Sequence, residues 1–270
     1  MDPTKSAATY LTELRHTGRF GARIPEPFRP ATIEDALKIQ ERTVRVLGEE
    51  VGGYKCSLPN ADRAAVLAPI FAPTISATTP RAVRGPTETT PDVARIEPEV
   101  AFVMAKPLPA RPAADGSHRP YSEAEVRAAI GETRLVLEVL GTRYRDQSQV
   151  PFVEVLADCI SNQGLVVGPL VRGGLDAELA GFRFRIDGKP RGEGAPVAVE
   201  KDGRHPDGHP LRPLVWLANF LAARGSGLRA GQTITTGSYA GMIDVPVDVP
   251  LTLQYGELGT FDVEFSRAAA

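Results

Sequence analysis

Residues 95–100 read Arg-Ile-Glu-Pro-Glu-Val and place two carboxylates, Glu97 and Glu99, one residue apart. In an extended strand, side chains at i and i+2 share a face, so both acids aim at one spot. The run that follows, Val100, Ala101, Phe102, Val103 and Met104, is wholly apolar and reads as buried. Two carboxylates in a dry place repel, so either one holds a proton or a cation sits between them. An oxygen-rich site of this kind suits Mg²⁺ or Mn²⁺. The competing reading is an edge strand with two solvated acids. Pro98 favours it, because proline cannot donate to a ladder.

A third acid, Glu138, interrupts the apolar run Leu135, Val136, Leu137, Val139 and Leu140. A charge there is costly unless it reaches water, pairs with an arginine such as Arg143, or binds a cation. Lys55 is the only charged residue of Gly-Gly-Tyr-Lys-Cys-Ser, residues 52–57. It is either a solvated strand lysine or an ammonium set beside carboxylates. The polar turn from Asp158 to Gln163, between two apolar stretches, either lines a pocket or bonds only to itself.

The elements that must position these residues follow from pattern. Residues 4–48 read as helical, with Thr32 and Asp35 as a capping box and Gly48, Gly52 and Gly53 as the stop. A second box, Ser122 and Glu125, opens a helix over 121–130. Residues 60–94 and 107–120 read as loops and short strands. Residues 181–200 alternate like a hairpin, with Asp187-Gly188 as its turn signal. A helix spans 213–224, and 231–265 returns to strands. Among 270 residues, 26 Gly, 24 Pro and 6% aromatics favour many short strands over a helical bundle. The domain expectation is an N-terminal α/β region, 1–80, and a catalytic body, 81–270.

Net charge is -2, which gives no basic field for nucleic acid. No apolar run reaches the ~18 residues of a membrane span, and the first residues lack the apolar core of a secretory signal. Two cysteines, Cys56 and Cys159, fit a reducing cytoplasm better than a disulfide framework. Gly225, Gly227 and Ala230 match a dinucleotide fingerprint but follow a helix where a strand is required. His205 and His209 stand four apart among prolines and a glycine. That argues against a helical zinc pair and for a loop over a site.

Taken together and in order, GYKCS, RIEPEVAFVM, LVLEVLGTRYRD, LADCISNQGLVVG, GHPL, WLANFL and LRAGQTITTGS resemble the 2-keto-4-pentenoate hydratase and 4-oxalocrotonate decarboxylase group of the fumarylacetoacetate hydrolase superfamily. The resemblance runs from about residue 30 to the end. It implies an α+β fold, a mixed β-roll with a smaller α/β N-terminal region. It implies a divalent metal, Mg²⁺ or Mn²⁺, held by Glu97, Glu99 and Glu138, with Lys55 in proton transfer. It places Asp158 and Ser161 in the family's ADNAS-type segment and implies a homo-oligomer; Asp158 is one candidate base for the attacking water. The expected partner is a small 2-oxo acid that chelates the metal, with neither nucleic acid nor membrane.

The sequence departs from the family at NADRAAVLAPIFAPT, at TGSYAG with Ser238 and Tyr239, and at VEKDGRHPD, segments expected to shape the substrate end. The leading expectation is hydration of a 2-hydroxydienoate to a 4-hydroxy-2-oxo acid in aromatic catabolism. The alternative is decarboxylation of a 2-oxo-3-enedioate, whose second carboxylate would need Arg143 or Arg145. Acylpyruvate hydrolysis would need a His–Glu pair that the site motifs do not supply. A non-catalytic oligomeric scaffold would show no Mg²⁺ dependence.

Overall fold

Asp2 caps the first helix, α1 (Pro3–Thr17), its carboxylate accepting from the Thr4 and Lys5 amides. Thr32 and Asp35 form the reciprocal box at α2 (Ile33–Leu47). Left-handed glycines, Gly18 and Gly48, end the two helices. The region expected to be helical is thus two helices, parted by a connection in which Pro25, Pro27 and Pro30 supply no backbone donors. The computed structural model of the chain describes residues 2–61, 65–112 and 117–268. Residues 62–64 and 113–116, within segments expected as loop and short strand, lie outside them.

Strands β1 (Val51–Ser57), β2 (Val66–Phe71), β3 (Ile75–Ser76), β4 (Arg81–Val83) and β5 (Val93–Met104) follow. Then come α3 (Glu123–Arg127), β6 (Ile130–Leu140), α4 (Phe152–Ala157), β7 (Asn162–Leu170), β8 (Gly181–Gly188) and β9 (Val197–Arg204). Helix α5 (Leu211–Ala223) precedes β10 (Thr233–Thr235), β11 (Ile243–Pro246), β12 (Leu251–Tyr255), β13 (Thr260–Val263) and β14 (Phe265–Arg267). The main sheet runs β2-β1-β10-β5-β6-β7-β3, with β11 also paired to β5. It is mixed: β1 lies parallel to β10, and β5 antiparallel to β6. Strands from both sides of residue 80 are hydrogen-bonded into this one sheet.

A second sheet runs β13-β12-β8-β9. Its register carries β8 through Asp187, opposite Ala198, and Gly188, opposite Val197. The hairpin is therefore closed by residues 189–196, because both Asp187 and Gly188 are spent on the ladder. Tyr255 joins the two sheets. Its hydroxyl donates to the Val136 carbonyl at 2.8 Å, and its ring meets Phe184 edge-on at 5.0 Å.

The central pair, β5 and β6, is buried along most of its length. Ile96, Pro98, Val100 and Phe102 face one side, where Leu137 and Val139 of β6 join the main core. On the opposite face Ala101 and Val136 pack with Ile70 and Leu165. Each Val, Leu, Ile or Phe side chain among them contributes roughly 1.5–3 kcal/mol on burial, which fixes the register; a one-residue slip would drive the acids into the main core.

Candidate metal centre and active site

The register sets Glu97 directly opposite Glu138 and Glu99 opposite Val136. All three acids therefore stand on the same face, continuing the row that begins with Ala101 and Val136. One carboxylate oxygen from each lies within 4.8 Å of the other two. Glu99 and Glu138 are buried and Glu97 is partly so.

Lys55 completes the group. Strand β1 packs closely on β10, where a Cβ at Gly53 would collide with the Thr233 carbonyl. From there the four-carbon stem carries the Lys55 ammonium to Glu138, Nζ to Oε1 at 2.6 Å. The Ile160 carbonyl accepts from the same ammonium at 3.5 Å. Glu138 pairs with this lysine rather than with Arg143.

Asn162 Nδ2 donates to Glu138 Oε1 at 2.8 Å, and the Gly237 amide donates to Glu99 Oε2 at 2.9 Å. Neither residue was singled out in the sequence. Asn162 stood inside the polar turn, and Gly237 inside TGSYAG. Its neighbour Tyr239 proves to be core: its ring stacks on Phe182 at 4.4 Å and its hydroxyl donates to the Leu179 carbonyl.

The electrostatics of the group are unbalanced. Three carboxylates face one ammonium, a formal charge of 1 − 3 = −2 when all are ionised. Burial first, then Glu138 and Glu97, push the Glu99 carboxyl up to about 8. Burial also raises Glu97, with Lys55 opposing and Glu138 adding to the shift. Burial alone would lower the Lys55 ammonium; the facing Glu138, Glu97 and Glu99 outweigh it and raise it. Glu138 Oε2 and Asn162 Oδ1 are buried without any hydrogen-bond partner. An orphaned buried oxygen costs about 1–3 kcal/mol, more when charged. An all-oxygen set with two excess negative charges and an unfilled carboxylate lone pair suits a hard divalent cation.

A cavity of about 280 Å³ opens over Lys55 and Glu97. Ser161, Gln147 and Arg95 also line it. Gln147 Nε2 donates to Ser161 Oγ at 3.0 Å, which leaves the Ser161 hydroxyl proton free for a ligand. Ser161 owes its position to an unusual turn. Cys159, Ile160 and Ser161 all adopt left-handed backbone, with φ of 54°, 49° and 58°. Such residues cost of order 1–3 kcal/mol each and persist only where the surroundings over-determine them.

Arg143 and Asp158 supply that constraint. Arg143 Nε donates to Asp158 Oδ1 at 2.6 Å and its amide to Oδ2 at 3.2 Å. Its two Nη atoms donate to the Asp158 and Asn162 carbonyls, bracketing the turn. Asp158 was expected beside the attacking water. It is instead buried with both oxygens bonded to Arg143, and it is not among the cavity-lining residues. Arg145 is mostly exposed and pairs with Glu88 at 3.0 Å, so neither expected arginine faces the cavity. Arg95, two residues before Glu97 on the same strand face, does.

Other reactive side chains are engaged elsewhere. Cys56 is buried, its thiol donating to the Pro213 and Thr235 carbonyls, and burial raises it well above the ordinary thiol value. His205 was expected in a loop over a site. It is buried, edge-on to Tyr239 at 5.2 Å, and burial depresses it to about 4. No helix among the described residues is long and apolar enough to cross a membrane.

The mixed sheet has the fold of solved fumarylacetoacetate-hydrolase-like structures. A 4-oxalocrotonate decarboxylase of Pseudomonas putida G7, solved with calcium and acetate and with magnesium and adipate, shares it. The TM-score is 0.71 at 21% identity, over 97% of each chain. A structure from Yersinia pestis CO92 assigned to the fumarylacetoacetate hydrolase family overlaps 81% of this chain and 94% of its own, at a TM-score of 0.50 and 17% identity. By sequence the chain is similar to a 2-keto-4-pentenoate hydratase of Paraburkholderia xenovorans LB400. They are 29% identical over 255 residues, 91% of this chain and 88% of the relative. No protein-family model matches the chain. The resemblance read from the ordered motifs thus holds in both sequence and fold.

Proposed function

We propose that the protein is a divalent-metal-dependent hydratase that converts a 2-hydroxydienoate, through its 2-oxo-enoate, to a 4-hydroxy-2-oxo acid. The observation that carries this reading is the convergence of Glu97, Glu99 and Glu138 within 4.8 Å, with the Lys55 ammonium on Glu138 and with Lys55 and Glu97 lining a cavity. The similarity to a 2-keto-4-pentenoate hydratase over most of both chains supports the choice of reaction. Glu97, Glu99 and Glu138 would hold Mg²⁺ or a similar ion. When bound, it supplies Lewis-acid stabilisation of negative charge developing on the substrate's oxo group.

The chain's own residues account for the proton movements. Lys55 is held charged by three acids, so it begins the cycle as a proton donor. In the tautomerisation the Lys55 ammonium gives a proton to the terminal carbon and takes the enol hydroxyl proton in return. Water then adds across the conjugated double bond, its oxygen to C4 and a proton to C3. Ser161, held by Gln147 with its hydroxyl proton free, orients that water or the substrate carboxylate. Asp158 acts through Arg143 on the left-handed turn and so is a positioning residue. On this reading the enzyme works inside the cell as a homo-oligomer.

Incubation with Mg²⁺ and 2-hydroxypenta-2,4-dienoate tests the reading. Loss of the dienol absorbance without CO₂ is the expected result. CO₂ release from 2-oxohex-3-enedioate with no hydration would replace it by the decarboxylase. Silence with both substrates would leave neither enzyme.

A further inference from the structure

The cavity over Lys55 and Glu97 has a mixed wall. Thr142, Gln147 and Ser161 are its polar part, and Leu140, Phe152, Val155 and Met242 belong to its apolar part. Met242 is 60% exposed, a large apolar side chain left at the mouth. Among the described residues that line the cavity, the cations are Lys55 and Arg95. Lys55 belongs to the acidic centre. Arg95 alone stands where a substrate tail would end, two residues along β5 from Glu97, roughly 7 Å of strand.

Arg95 is not a free cation. Strand β11 places Asp244 directly opposite it. Arg95 Nε donates to Asp244 Oδ1 at 2.7 Å, and Nη2 donates to Oδ2 at 2.8 Å. This is the bidentate fork that a guanidinium would otherwise offer to a substrate carboxylate. Leu140 occupies the same row on the other side of β5, so the tail end combines an internally neutralised pair with apolar walls.

We propose that the Arg95–Asp244 pair closes the tail end of the cavity to a second carboxylate, so that the site takes 2-oxo acids with an uncharged, apolar tail. This rests on the assignment of the acidic centre as the 2-oxo acid site and deepens it by naming the tail. A dicarboxylate would have to break a two-bond ion pair and bring its charge beside Asp244. An alkyl or vinyl tail can lie against Phe152, Val155 and Met242 and leaves the pair intact.

The test compares two saturated six-carbon ligands, 2-oxohexanoate and 2-oxohexanedioate, by calorimetry on the Mg²⁺-loaded protein. The monoacid is expected to bind about tenfold or more tightly than the diacid, the scale of one charge-assisted hydrogen bond. In Asp244→Asn, which frees the Arg95 fork, diacid affinity is expected to rise about tenfold while the monoacid stays within about twofold. In Arg95→Gln the diacid gains nothing. Equal or tighter diacid binding by the unaltered protein would overturn the inference, as would an Asp244→Asn variant in which the two ligands keep their ratio. Monoacid-selective binding without hydration of the dienoate would sink the hydratase reading and leave the tail assignment standing. Failure of both ligands to bind would sink both readings.

Discussion

Two buried ionic clusters flank the cavity, and they are built on opposite plans. Around Arg143 the carboxylate is fully answered. Asp158 has both oxygens bonded, with Arg15 a second cation at 4.0 Å, and both guanidinium Nη atoms donate to carbonyls, those of Asp158 and Asn162. Around Glu138 the accounts do not close. Three acids share one ammonium, Glu138 Oε2 has no partner, and Glu99 is driven up to about 8. The closed cluster holds a turn in place; the open one waits for a ligand. Acidity and burial alone do not separate Asp158 from Glu138, since both are nearly inaccessible. The unfilled hydrogen-bonding capacity does.

The contrast breaks most visibly at Arg143. Arg143→Ala leaves Asp158 buried without its hydrogen-bonded partner, with only Arg15 at 4.0 Å, and should lower stability by about 3 kcal/mol, read as a shift of the denaturant midpoint. If the variant unfolds like the unaltered protein, the closed cluster is not structural. Lys55→Ala attacks the open cluster. It should keep Mg²⁺ binding yet lose turnover about a thousandfold, within the usual range for a general acid or base. Retained tautomerisation in that variant would remove Lys55 from the chemistry.

The open cluster also predicts a pH trend. The Glu99 carboxyl titrates near 8 when folded and near 4.5 when unfolded, so between those values the native state holds a proton that the unfolded chain has lost. Metal-free stability should therefore fall as pH rises from about 5 to 8. Mg²⁺ should flatten the trend, and so should Glu99→Gln. A metal-free melting temperature that climbs over that window would show the acids to be paired in some other way. The smallest effect belongs to Ser161. Ser161→Ala removes one neutral hydrogen bond and should cost about 0.5–1.5 kcal/mol in kcat/KM with no change in metal affinity.

Much of this was legible in the sequence because it depends on local rules. Two acids at i and i+2 in a strand must share a face, and an acid inside an apolar run must find a partner. Thr32–Asp35 and Ser122–Glu125 announced their helices. What escaped depends on register and on three-dimensional pairing. That Glu138 sits opposite Glu97 is set by the β5–β6 ladder, and no residue type states it. Asp158 was offered as a base on the strength of the ADNAS-type segment; only the fold brings Arg143 onto it. Arg95 was overlooked beside the glutamates, although the same i, i+2 parity puts it on their face. The left-handed run at 159–161 carries no glycine to signal it. The Asp187-Gly188 signal misled because both residues remain in the ladder and a longer loop closes the hairpin.

The central claim is that the open cluster is a divalent cation site, and Mn²⁺ binding followed by electron paramagnetic resonance tests it without any substrate. The account predicts one bound Mn²⁺ per chain, displaced by Mg²⁺, lost in Glu138→Gln and Glu97→Gln, and kept in Asp158→Asn wherever that variant folds. A free-Mn²⁺ spectrum undiminished by the unaltered protein, or one equally diminished by the Glu138→Gln variant, would contradict it.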